Sequence, residues 1–271
     1  MESEGTKTGL VAFFDILGYQ NLLERNEPEK IAEEVLPILT NIGDRVKQDL
    51  DLCHKSAILD IKEKNKKSEY NDIVQALEDR HKMIIERMRW LIFSDTVLLA
   101  LPIEEGDQDI VNMSWFIFIM ASSALQANLF RAGLPVRGAI DFGKFFIKDT
   151  CFAGRTIVNT YQLCSQLEIA ACVFSENATI EFRRLELFDY WMDNIVSEYL
   201  IPMKSGERHL LTVRVYLFDN DSPDIHGEVM RAFWGNRKDI SISARQKAKN
   251  TEQWLEYIEY RQKIKKEKES S

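Results

Sequence analysis

Two carboxylates in this chain stand where apolar runs end, a position in which a carboxylate is stable only with something positive beside it. Asp15 closes the run in Phe13-Phe14-Asp15-Ile16-Leu17-Gly18-Tyr19-Gln20. Asp95 sits at the turn of Trp90-Leu91-Ile92-Phe93-Ser94-Asp95-Thr96-Val97-Leu98-Leu99-Ala100-Leu101. Taken singly, Asp15 also reads as a helix cap, because an Asp after a strand is a common start for the next helix. Taken together, two acids delivered by strand ends suit a hard divalent cation, magnesium or manganese, with oxygen ligands. The backbone carbonyl of Ile16 is a further oxygen, and the amides of Leu17, Gly18 and Tyr19 open the next helix, where phosphates bind. The chemistry implied is phosphoryl or nucleotidyl transfer with two ions per site.

These acids need a scaffold that brings them together. Gly9 to Asp15 predicts a buried strand, and Met88–Phe93 with Thr96–Leu101 predicts a hairpin with Asp95 at its tip. Between them, Ile31, Val35, Leu39, Ile42 and Val46 have the spacing of one helix face, broken or kinked near Pro37. Gln48 to Ser68 is rich in charge and reads as a solvated loop or exposed helix end, and Tyr70 to Arg87 recovers helical spacing. The stretch from about 44 to 87 is therefore expected to be a charged helical insertion.

Val111 to Phe130 predicts a buried helix stopped at Gly133 and Pro135, followed by a strand over Val136–Phe146. Arg155–Ala171 predicts a helix, Cys172–Phe174 a strand, Asn177–Leu200 a helix and Leu210–Phe218 a strand, with a helical tail from about 222 to 271. The order is that of a ferredoxin-like or palm-type α+β arrangement, read as one domain over 1–271 with its core at about 9–220.

Composition narrows the partners. Acids outnumber bases 43 to 35, for a net charge of −8, and no basic stripe offsets this, so nucleic acid is not expected. The 4 cysteines and 4 histidines show no zinc-binding spacing and no disulfide pattern. Polar residues interrupt the long apolar run over Val111–Phe130, and the amino terminus is polar and acidic. No membrane is expected as a partner, and the expected compartment is the cytoplasm.

The segment FFDILGYQ resembles the first metal motif of class III nucleotidyl cyclases, and FSDTVLLALP resembles the second. LPVRGAIDFGKFF and FAGRTIVNTYQLCSQLEIAACVFS are similar to blocks of the bacterial Pycsar pyrimidine-nucleotide cyclases. The resemblance covers roughly residues 9 to 180. It implies that Asp15 and Asp95, with the Ile16 carbonyl, hold Mn2+ or Mg2+. It further implies a homodimer with active sites shared between subunits, and conversion of a nucleoside triphosphate to the 3′,5′-cyclic monophosphate and pyrophosphate. The implied setting is second-messenger synthesis in antiphage defence.

Departures from purine cyclases bear on the substrate. Leu91 stands where they carry a lysine, and Cys151 falls near their base-reading acid. Asn159 is displaced by one residue relative to Gly154, and Leu163 takes the place of a helix arginine. A pyrimidine is therefore preferred, UTP over CTP by analogy alone. Arg137 and Arg155 are the substitutes for the missing arginine as phosphate contacts, each with a surface role as the alternative. Arg89 and Tyr161 are candidates for reaching the base, against solvent-exposed and core roles. Two other functions stay open: a degenerate cyclase-like module that binds nucleotide or protein, and a palm-type enzyme that joins two nucleotides.

Overall fold

The computed structural model describes residues 5–64, 70–104, 106–148, 151–215, 224–235 and 241–269. The chain enters through strand β1 (Lys7–Ile16), in which Leu10, Val11, Ala12 and Phe14 are wholly buried. Helices α1 (Tyr19–Arg25), α2 (Pro28–Glu34), α3 (Leu36–Thr40), α4 (Ile42–Lys64) and α5 (Tyr70–Arg87) precede the hairpin of β2 (Arg89–Phe93) and β3 (Thr96–Pro102). Helix α6 (Gln108–Arg131) then leads to β4 (Val136–Lys148), β5 (Cys151–Ala153), α7 (Arg155–Gln166) and β6 (Cys172–Phe174). The remainder is α8 (Glu176–Arg183), α9 (Phe188–Trp191), β7 (Val196–Met203), β8 (Gly206–Val213), α10 (Ile225–Trp234) and α11 (Ile242–Glu269).

The sheet runs β2-β3-β1-β4-β6-β8-β7, with β5 folded back on the end of β4. Every pairing is antiparallel except β4 with β6. The first four strands have the order of a split βαβ, ferredoxin-like unit, so the α+β class read from the sequence is the class observed. The topology makes β1 central, and its register sets Asp15 against Thr96 on one side and Arg137 on the other.

One face of β1, carrying Leu10, Ala12, Phe14 and Ile16, packs into the large core with Trp115, Phe118 and Leu125 of α6. The other face, carrying Val11, Phe13 and Asp15, looks toward α7 and the strand-end loops. Among the described residues α6 is the one helix long and apolar enough to cross a membrane, and 67% of its apolar window is buried within the fold. Two of its serines are satisfied there: Ser122 donates to the Phe118 carbonyl and Ser123 to that of Arg214.

The structure corrects several sequence expectations. Gln48–Ser68 is largely the body of α4 rather than a loop, because Ile42, Val46, Leu50 and Ile58 form a buried stripe beneath the charges; residues 65–69 lie outside the described set. Pro37 marks a break, standing in the first turn of α3. Helix α7 stops at Gln166 instead of running to Ala171. The following backbone is claimed from outside, by Pro202 at the Glu168 amide and by Thr251 at that of Ala170.

The expected helix over Asn177–Leu200 is in fact α8, α9 and the start of β7. A tight turn at Lys204-Ser205 pairs β7 with β8 over its whole length, and that pairing overrides local helical preference. Strand β8 accordingly begins at Gly206 rather than Leu210; residues 216–218 of the expected strand lie outside the described set.

Gly138 faces Phe14 across the β1–β4 pairing, and a Cβ added there would stand 2.5 Å from the Phe14 ring and 3.3 Å from the Cys172 sulfur. Gly138→Ala is expected to lower unfolding stability by about 1–3 kcal/mol, the usual cost of overpacking a core. Urea denaturation measures this, and an unchanged midpoint would contradict the close packing of β1 on β4.

Candidate functional site

The two acids meet because of how β1 and the β2–β3 hairpin end. The hairpin turns through Ser94 and Asp95, with a positive φ of 55° at Ser94 only, the pattern of a type II′ turn whose twist suits the flanking strands. The Ile16 amide donates to the Asp95 carbonyl at 2.9 Å, which fixes the end of β1 against the hairpin tip. Asp15 and Asp95 therefore share one corner of the sheet, as their position in the sequence leads one to expect. Their charges interact, since Asp95 raises the pKa of Asp15.

Asp15 is not alone at that corner. Arg137, its cross-strand neighbour, donates from Nε to Asp15 Oδ2 at 2.8 Å. The same guanidinium donates through Nη1 to the carbonyls of Ser165 and Leu167, at 3.0 and 3.2 Å, where α7 ends. Its backbone carbonyl accepts from the Cys164 thiol, whose pKa burial pushes up. Arg137 thus ties β1, β4 and the end of α7 together, and its role in this structure is to hold Asp15 rather than to reach outward to phosphates.

The Asp15 carboxyl sits above its ordinary pKa of 3.8. Burial is the main cause, offset in part by the charge and hydrogen bond of Arg137, while Asp95 adds to the rise and Lys204 opposes it. A carboxylate kept partly out of water beside a second one is a poor resting anion and a good ligand for a hard cation. Among the described residues no group of three or more His, Cys, Asp or Glu gathers. Asp15 and Asp95 supply carboxylate oxygens, the donor type that magnesium and manganese take alongside water and substrate oxygens.

The other expected residues are distributed as follows. Leu17 is buried, and its amide is committed to the Pro135 carbonyl at 2.8 Å, so it does not face a phosphate. Gly18, at φ 73°, is the left-handed cap that lets α1 start directly after β1. Tyr19 is a core residue, 5% exposed, whose phenol pKa is raised by burial first and by Asp95 second.

Arg155 is exposed at the first turn of α7, and ten residues of helix put it about 15 Å from Ser165 and the Arg137 guanidinium. Arg89 donates to the carbonyls of Glu86 and Met88 at the far end of β2, about 13 Å of strand from the hairpin tip. Tyr161 is 55% exposed and meets Phe13 edge-on at 5.4 Å, on the same face of β1 as Asp15. Asn159 is turned inward, donating to Asp141 at 3.1 Å.

Lys204 is the residue that sequence reasoning missed. It lies at the tip of the β7–β8 hairpin, its amide bonded to the Gln166 carbonyl at 2.8 Å, and its charge is felt by Asp15. The signal was present in Lys204-Ser205-Gly206, a turn sequence between two strand-like runs, but it was hidden by reading the preceding segment as helix.

Two outcomes follow for binding of the ion. Because burial raises its pKa, Asp15 penalises the folded state as pH rises from its unfolded value of 3.8 through its folded value, so Asp15→Asn is expected not to lower the melting temperature of metal-free protein at pH 7. Manganese at a hundred times its dissociation constant is expected to raise the wild-type melting temperature by roughly 5 °C and to leave Asp15→Asn and Asp95→Asn unmoved. An equal manganese shift in all three proteins, read by differential scanning fluorimetry, would remove the ion from this corner.

No protein-family model matches the chain, and no curated protein sequence matches it. Among solved structures it is similar to the catalytic core of a rhodopsin-guanylyl cyclase with converted specificity, solved in complex with ATPalphaS; the identity is 9%, covering 78% of this chain and 97% of that one, with a TM-score of 0.46. It is also similar to the monomeric guanylyl cyclase domain of the RhoGC fusion protein from the aquatic fungus Blastocladiella emersonii, at 9% identity over 66% and 87% of the two chains and a TM-score of 0.44. A third similar structure is the guanylyl cyclase Cya2, at 12% identity over 78% and 92% and a TM-score of 0.41.

Proposed function

We propose that this chain is a class III-like nucleotidyl cyclase that closes a pyrimidine nucleoside triphosphate, UTP or CTP, to its 3′,5′-cyclic monophosphate. The observation that carries the reading is the corner where Asp15 and Asp95 meet with Arg137 behind them and Lys204 beside them. In the reaction the substrate 3′ oxygen bonds to the α-phosphorus as the bond to the β-phosphate oxygen breaks. Pyrophosphate leaves, and the hydroxyl proton passes to water. Asp15, Asp95 and the Ile16 carbonyl would hold magnesium or manganese, which would supply charge stabilisation for the transferring phosphoryl group.

The chain's own residues do the positioning. Arg137 fixes the rotamer of Asp15 and, through Ser165 and Leu167, keeps α7 in register with it. Lys204 adds positive charge on the side where a triphosphate would lie. The pyrimidine preference rests on half-buried Leu91 and exposed Cys151, neither of which supplies the paired donor and acceptor a purine pocket requires. Synthesis of a cyclic-nucleotide messenger in antiphage defence, in the cytoplasm, is the corresponding biological role.

Arg155 cannot serve Asp15 of its own chain across the length of α7, which supports a homodimer in which each site draws Arg155 from the partner. The exposed apolar side chains of Phe93, Val158 and Tyr161, on or beside the face that carries Phe13, are the surface for that contact.

A specific observation favours a second reading, a nucleotide-binding module without turnover. Asn159 is spent on Asp141 and Arg137 on Asp15, so neither is available to a transition state.

Incubation with each of the four triphosphates and manganese, with the product identified by mass, is expected to yield cyclic UMP or cyclic CMP and pyrophosphate. Asp15→Ala and Asp95→Ala are each expected to abolish turnover with the fold retained. Binding of a triphosphate with no pyrophosphate released would establish the second reading, and a dinucleotide product would point to a joining enzyme. Mixing inactive Asp15→Ala with inactive Arg155→Ala protein is expected to restore about a quarter of wild-type activity, from one intact site in half of the dimers. No restoration would refute shared sites.

A further inference from the structure

We propose that a second cleft, on the far side of α7 from Phe13, binds a nucleoside monophosphate whose base carries an amino group. The cleft has a volume of about 450 Å3 and lies between α7, the start of α8 and the β7–β8 hairpin. Small-molecule sites begin at about 300 Å3. It is a separate compartment from the Asp15 corner, because the Lys204 amide closes on the Gln166 carbonyl at 2.8 Å and Leu167 bridges to Met203 between the two.

The chemistry of the cleft is set by Asp141, which lines it and is 1% exposed. Its Oδ1 accepts from the Ser175 hydroxyl and, at 3.0 Å, from the Phe142 amide, and its Oδ2 accepts from Asn159 at 3.1 Å. Among the described residues no cation pairs with it. An ionised carboxylate has about four acceptor positions and no donor, so one position on Oδ2 remains to be filled by a donor.

The walls and the rim narrow the class. Leu163, Met203 and Leu210 offer apolar surface to the faces of a flat ring, and the carboxamides of Gln162 and Gln166 offer hydrogen bonds to its edge. Arg208, exposed at the rim on β8, has the fork that takes a phosphate. A donor-bearing heterocycle joined to an anion matches both ends of the cleft. The exocyclic amino group of cytosine or adenine donates to Asp141, whereas uracil presents the O4 carbonyl at the same position, a second acceptor, and its N3–H donor is flanked by two carbonyl oxygens. The cleft therefore discriminates by an acceptor-only carboxylate, independently of what Asp15 and Asp95 do.

Titration calorimetry with CMP, AMP and UMP, in EDTA and on the Asp15→Asn chain, tests this with the metal corner disabled. Saturable binding of CMP and AMP is expected, with UMP weaker by about tenfold, the cost of one unmade hydrogen bond at a buried group. Arg208→Ala is expected to weaken CMP about tenfold and to leave cytidine unchanged, since only the phosphate is lost. Asp141→Asn, whose side chain both donates and accepts, is expected to erase the preference for CMP over UMP. The proposal is overturned by absence of saturable binding of CMP and AMP, by equal wild-type affinities for CMP and UMP, or by an Arg208→Ala protein that binds CMP as the wild type does. Should Asp141→Asn not fold, the comparison of CMP with cytidine on Arg208→Ala decides.

Discussion

The pairing of Asp15 with Arg137 is the constraint on which the rest of this corner depends. It is a cross-strand ion pair set partly out of water, in which the charge and hydrogen bond of Arg137 offset part of what burial costs the Asp15 carboxylate. Arg137 spreads its donors over Asp15 and the last carbonyls of α7, so the strand that carries the acid and the helix that crosses it cannot shift independently. The neighbouring Cys164 thiol pins the Arg137 backbone from the same helix. The arrangement fixes the position of a carboxylate whose pKa burial raises and Arg137 partly lowers.

The parts of the fold legible in the sequence were those where pattern and tertiary demand agree. Strand β1, the β2–β3 hairpin, α6 and β4 are apolar runs bounded by turns, and they form as their spacing dictates. Strand β7 was illegible because Val196–Met203 follows two short helices and gains its strand state only from pairing with β8. Helix α4 was hidden for the opposite reason, since its charged surface masks a sparse stripe of buried Ile and Leu. In the candidate site, that Asp15 and Asp95 would meet was readable from two strand ends with one grammar. That Arg137 would face Asp15 was not, because it depends on the β1–β4 register, and register is a property of the assembled sheet.

The Asp15 corner and the Asp141 cleft divide one helix between different environments. The Tyr161 side meets Phe13 on the face that carries the acids, and the Asn159 side covers the buried Asp141. Between the two sides, Thr160 and Cys164 are fully buried, so one helix carries a buried strip with a different contact on each flank.

The sheet order also fixes when the corner can exist. Asp15 and Arg137 are 122 residues apart in sequence, with α1 to α6 and the β2–β3 hairpin between them. At about 5–20 residues per second, a ribosome needs roughly ten seconds to deliver the second partner after the first. For that interval Asp15 belongs to a strand without its inner neighbour, and its ion pair cannot form. Asp95 is made sooner, so the hairpin can reach β1 first. The corner is complete only when β4 closes on β1.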